Sequence, residues 1–134
     1  KEYNTFELTK ALGMKDYAKS FKIVNGMGKN EKQNPITLII GSLFSYFSKV
    51  VIYHTLADKS PNSVGAALGI SPFFEKEYKM AATKYPLKQA TRAISILREI
   101  DMKSKGLGAS SSAGDLMKEM VYKLIHLDKT KVKV

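Results

Sequence analysis

No cysteine occurs among the 134 residues, which excludes disulfides, thiolate nucleophiles and cysteine-ligated metals together. The same absence fits a reducing, cytoplasmic setting. Arginine is almost missing too: Arg92 and Arg98 stand against twenty lysines. Bidentate reading of guanine edges and phosphates is mainly arginine chemistry. The net charge of +10 therefore reads as a solvated lysine surface, with weak nonspecific attraction to DNA as its secondary consequence. No block of like charge stands out along the chain. The only histidines, His54 and His126, have no companion His or carboxylate at ligand spacing. They read as ordinary, partly buried histidines, and no metal or cofactor is expected. No basic start followed by an apolar run and a small-residue cleavage site lies near Lys1, so no export signal is visible. A first residue of Lys rather than Met hints at a piece of a longer chain. The length suits one core, so residues 1–134 are expected to form one domain with a frayed tail at 128–134.

Sustained two-residue alternation is also lacking, and Pro and Gly divide the chain into pieces of helical length. The expected class is all-α, a compact bundle of six to seven helices. Asn4 or Thr5 caps a first helix through Leu12, ended by Gly13. Asp16 opens a second, with Tyr17, Ala18, Phe21, Ile23 and Val24 at helical spacing. Residues 25–34 read as a polar loop, and Asn34-Pro35 starts the third helix. Ser60-Pro61-Asn62 breaks the chain, and SVGAALGIS follows as a short helix with Gly69 at its end. Ser71-Pro72 begins a fifth, with Phe74, Tyr78, Ala81 and Tyr85 inward. Pro86 starts a sixth, on which Glu99–Lys103 and Asp101–Lys105 are i,i+4 pairs in the favourable order. Residues 106–114 read as a mobile linker and Asp115 as the start of the last helix.

The third segment, residues 34–56, carries one cation, Lys49, and apolar residues nearly all round. It would be about 33 Å long as a helix from Pro35 to Leu56. Lys49 costs ~2.5–3.5 kcal/mol near a bilayer centre, and Ser42, Ser45, Ser48 and His54 weaken a span further. A buried, central helix is the better account. Thr37, Gly41, Ser45 and Ser48 form a stripe of small residues along which neighbouring helices can approach, and the other faces need protein around them, from this chain or partly from another.

Chemistry-bearing motifs are sparse. The glycine-rich runs at 26–29 and 106–114 follow no strand, and the first lacks the hydroxyl residue a phosphate loop places after its Lys. Asp115 and Glu119 share a helix face but read as solvated acids. Residues 63–84 resemble a helix-turn-helix, with Gly69 and Ile70 in the turn. The second helix would present Pro72, Phe73, Phe74, Glu75 and Glu77 to DNA, and its acids repel phosphates. Phe73 and Met80, off the inward stripe, and the aromatic Tyr122 are candidates for contact with a partner.

In this order of helices, the stretches YNTFELTKALGMKDYAKSFKIV, NPITLIIGSLFSYFSKV, SVGAALGISPFFEKEYKMAATKY, AISILREIDMKSKG and DLMKEMVYKLI resemble the C-terminal domain of the delta subunit of bacterial DNA polymerase III, a clamp-loader protein. The most telling pieces are the ALGISPFF turn and the LREIDMKSKG helix end, where Asp101 and Lys105 hold the family's usual acidic and basic positions. The resemblance implies a helical collar domain, part of a ring of five related subunits. It implies gamma/tau and delta-prime type subunits as partners, and contact with the sliding clamp and primed DNA only through N-terminal domains. It implies a role in DNA replication without catalysis or cofactor, in the cytoplasm and not in a membrane. The alternative is a DNA-binding helix-turn-helix domain using residues 63–84.

Overall fold

The computed structural model of the protein describes residues 3–106 and 112–127. Among them there are seven α-helices, one 3-10 turn and no strand, so the expected all-α class holds. The expected linker residues 107–111 and the tail 128–134 lie outside the described residues.

Local chemistry sets most of the ends. Helix α1 (Thr5–Gly13) starts from a capping box: the Asn4 side chain accepts from the Glu7 amide at 2.8 Å, and the Glu7 carboxylate accepts from the Asn4 amide at 3.3 Å. The left-handed residue after it is Lys15, at φ 54, rather than Gly13. Asp16 caps α2 (Tyr17–Gly28) through the Lys19 amide at 3.2 Å. This helix overruns the expected polar loop by a turn. Met27 continues the inward stripe of Ser20, Ile23 and Val24, and its burial outweighs the cost of Gly26, about 1 kcal/mol. Tyr17 and Phe21, expected inward, are exposed.

Helix α3 (Ile36–Thr55) follows Pro35, and α4 (Pro61–Leu68) starts two residues before the expected Ser63, because Pro61, read as part of a break, fits the first turn of a helix. Gly69 follows at φ 69, as expected of a glycine after a helix end. A 3-10 turn (Pro72–Phe74), capped by Ser71, leads into α5 (Glu75–Lys84). Helix α6 (Leu87–Ser104) follows Pro86. Helix α7 (Ala113–Ile125) begins two residues before the expected Asp115, because the Ser112 hydroxyl accepts from the Asp115 amide at 3.1 Å.

Helices α1, α2, α7, α6 and α3 form a closed circuit, each touching the next and α3 returning to α1. Their inner faces share one continuous cluster of buried side chains. Leu43, Phe47 and Val50 of α3 meet α6, where Ala90 and Ala93 keep the contact thin. Leu116, Met117, Met120, Val121 and Leu124 of α7 close the bundle against α2 and α6. Each large side chain so buried contributes ~1.5–3 kcal/mol. Helices α4 and α5 pack on α3 from outside this circuit.

Helix α3 is not enclosed in the way its composition suggests. It is long and apolar enough to cross a membrane by length and composition, and 33% of that stretch is buried inside the fold. Ile39, Leu43, Phe47, Val50 and Tyr53 point inward, while Leu38, Ser42, Phe44 and Ile52 remain exposed. The small residues Thr37, Gly41 and Ser45 face outward as well, and a Cβ added at Gly41 would meet nothing within 4 Å. Among the described residues, no helix approaches closely at Gly41. The hydrophobicity of α3 is therefore divided between a core face and an uncovered one.

Candidate partner interface

Beside that uncovered face, α1, α3 and α5 leave a groove of about 470 Å³. Phe6 of α1 and Met14, which follows α1, line it together with Ser42, Ser45 and Tyr46 from α3 and Tyr78 and Met80 from α5. Phe6 is 66% exposed and Met80 48%, so these walls are in contact with water. Gly13 explains how the floor closes. A Cβ there would fall 2.2 Å from the Tyr46 hydroxyl, so the Tyr46 ring can lie here only because residue 13 has no side chain. The Tyr46 ring lies edge-on to Phe47 at 5.2 Å and beside Tyr78 at 5.5 Å. Burial, with Tyr78 and Glu77 adding to it, pushes the Tyr46 phenol far above its ordinary range, so it stays neutral. Cations prevail at the edge. Lys10 and Lys76 line the groove with one acid, Glu77, and Lys49 donates to Ser45 at 2.6 Å.

Of the three partner-contact candidates, Met80 lines this groove. Phe73, 83% exposed, packs edge-to-face on Phe74 at 5.4 Å between ring centres. Phe74, expected inward, is itself exposed, because the 3-10 turn rotates it away from the α5 stripe that Ala81 continues. Tyr122, 57% exposed, stacks with His126 at 4.3 Å on α7, which packs on α2 and α6 and lies outside the groove. The structure thus leaves all three accessible and brings none of them to another. Phe6 and Met14 escaped the sequence reading. Their only signal was two large apolar residues off the stripe of Leu8, Ala11 and Leu12, Phe6 in the first turn of α1 and Met14 just after its end.

Residues 2–128 match the family model for the DNA polymerase III delta subunit, C-terminal domain. The chain belongs to that family. No curated protein and no solved structure gives a significant match. A delta C-terminal domain is a non-catalytic clamp-loader subunit module of DNA replication, which directs attention to surfaces rather than to an active centre.

The other sequence candidates of this delta domain are taken up by its packing. Gly28 and Gly114, from the two glycine-rich runs, meet: a Cβ on Gly28 would lie 3.3 Å from the Gly114 Cα, while residues 107–111 of the second run lie outside the described residues. The Glu31 carboxylate accepts from the Gly114 amide at 3.1 Å, so the amino end of α7 already faces an anion of the protein's own. His54 Nε2 lies 2.7 Å from the Tyr85 carbonyl oxygen, an acceptor, so that nitrogen carries the proton. Glu119 is not the solvated acid expected. It pairs with Lys103 at 2.7 Å and Lys123 at 3.0 Å, while Glu99 pairs with the same two lysines, linking α6 to α7. The i,i+4 pairs Glu99–Lys103 and Asp101–Lys105 form as expected. In the helix-turn-helix segment, Glu75 is buried and Glu77 exposed. Gly65 lets the turn close, since a Cβ there would come within 2.9 Å of the Ile70 carbonyl oxygen.

Proposed function

We propose that this module is the collar of a clamp-loader delta subunit, one part of a longer polypeptide. It acts by non-covalent assembly with homologous subunits of the gamma/tau and delta-prime types. The sliding clamp and primed DNA are engaged by N-terminal domains of the same subunit, in the cytoplasm, and the collar holds those domains in register. One observation carries the reading beyond family membership. Large apolar side chains stand uncovered on separate elements: Phe6 on α1 and Met14 just after it, Leu38 on α3, Phe73 beside α5 and Tyr122 on α7. A member of a ring needs two partner-facing sides, and Tyr122 on α7, which packs on α2 and α6, lies on an element away from the groove that Met80 lines. Interfaces concentrate their energy in a few such aromatic anchors.

The test is capture of purified loader subunits by full-length delta subunit containing this domain. Wild type is expected to retain the gamma/tau and delta-prime types. Phe73→Ala and Tyr122→Ala are each expected to weaken capture by ~5-fold or more without lowering Tm, the mark of an interface anchor. Failure of wild-type delta subunit to capture any loader subunit would refute the reading.

A further inference from the structure

We propose that the groove between α1, α3 and α5 receives an amphipathic, acidic helix from a partner loader subunit, an inference that rests on the assembly role above. The shape fits a helix. The floor is kept low by small residues, Gly13, Ser42 and Ser45, while Phe6 and Met14 form one wall and Tyr78 and Met80 the other. An amphipathic helix laid in such a channel buries its apolar stripe, and methionine walls adapt to the side chains they meet. The floor continues into the uncovered arc of α3 at Leu38 and Gly41, which lengthens the track beyond the groove itself.

Charge selects the occupant. Two ammonium groups, Lys10 and Lys76, line the groove with one acid, Glu77, and a third, Lys49, donates to the lining Ser45. The chain as a whole carries +10. A second copy would bring the same excess of positive charge and be repelled. A flat lipid surface meets convex projections rather than the floor of a channel. A helix with apolar residues on one face and Asp or Glu along its flanks satisfies both the walls and the rim.

The experiment places a photo-crosslinking benzoylphenylalanine at Met80 of full-length delta subunit in the reconstituted loader. Cross-linked peptides are then identified by mass spectrometry. A cross-link to an acidic amphipathic helix of another subunit is the expected result. A second measurement uses Lys10→Glu with Lys76→Glu, both exposed and therefore harmless to folding. Capture of the partner should fall about tenfold, mainly through slower association, with an unchanged Tm. Full capture by the charge-reversed variant, or a cross-link to a basic segment, to a second copy or to nothing within an assembled loader, overturns the groove while leaving the assembly role intact. If wild-type delta subunit captures no loader subunit at all, both fall together.

Discussion

At Gly13 the sequence invites one explanation and the structure supplies another. A glycine near the end of α1 reads as a stop signal, yet the left-handed turn is taken by Lys15. Gly13 is required because the Tyr46 hydroxyl lies 2.2 Å from where its Cβ would be. Gly13→Ala is therefore expected to cost ~1–3 kcal/mol through forced displacement of the Tyr46 ring. Removing the hydroxyl with Tyr46→Phe in the same chain should restore part of the loss, read as a coupling energy in a double-mutant cycle by urea denaturation. Tyr85 poses a similar case. Its hydroxyl donates to the Leu12 carbonyl, its ring meets Phe47 edge-on at 5.0 Å, and it is 1% exposed. Tyr85→Phe removes that bond, but the Leu12 carbonyl still accepts from the Lys15 amide at 3.0 Å, so a loss of only ~0.5–1.5 kcal/mol is expected by the same measurement. Neither requirement was legible in the sequence, since each joins residues more than thirty positions apart. What could be read at this scale were the local devices: the Asn4 and Asp16 caps, the prolines at helix starts and the left-handed Gly69.

Whole elements were more legible than their faces. Every helix expected from spacing is present, because caps and prolines act over three or four residues that are adjacent in the chain. The α2 end moved because its loop-like glycines are overruled by Met27, whose burial depends on tertiary packing. The outward side of α3 was hidden for a related reason: composition reports how apolar a helix is, and not which of its sides the rest of the chain covers. The contact between α6 and α7 offers the clearest test at this scale. Hydrogen bonding, from Lys123 to Glu99 and from Lys103 to Glu119, holds both carboxyls below the ordinary Glu range. Their stabilising effect is complete above the unfolded value, about 4.3, and is lost as pH falls through the lower folded values. Lys103 is shifted upward, chiefly by its hydrogen bond to Glu119, so its contribution persists up to the ordinary Lys range and fades as pH rises through the higher folded value. Melting temperature should thus be level from roughly pH 5 to 10 as far as this network is concerned, with a decline on the acid side. Water reaches all four side chains, so Glu119→Gln should lower Tm at pH 7 by only ~1–3 °C. The difference should shrink in about 1 M salt, where such pairs are screened.

For the molecule as a whole, the partner surface was half readable. Phe73 and Met80 stand out because they fall off the stripe of a single helix. The groove beside Met80 does not, because its walls come from residues 5–14, 42–46 and 76–81, which only the closed bundle brings together. Net charge is legible from composition alone, and its meaning depends on placement. The lysines are distributed over every helix except α4 and include the groove edge, the α6–α7 network and the exposed side of α2. Such a distribution attracts phosphate from many directions without positioning a base-reading side chain. Binding of this protein to duplex DNA is accordingly expected to be weak, equal for unrelated sequences, and reduced at least ~10-fold between 50 and 200 mM salt. Fluorescence anisotropy on two unrelated duplexes checks this directly. In the segment 63–84 the turn is built tightly enough to serve as a reading head, yet Glu77 and the bare Phe73 ring stand where phosphate and base contacts would have to form. A preference above tenfold for one duplex, abolished by substitutions on α5, would make that segment a DNA reader. Equal and salt-sensitive affinity leaves its exposed aromatic to a protein partner.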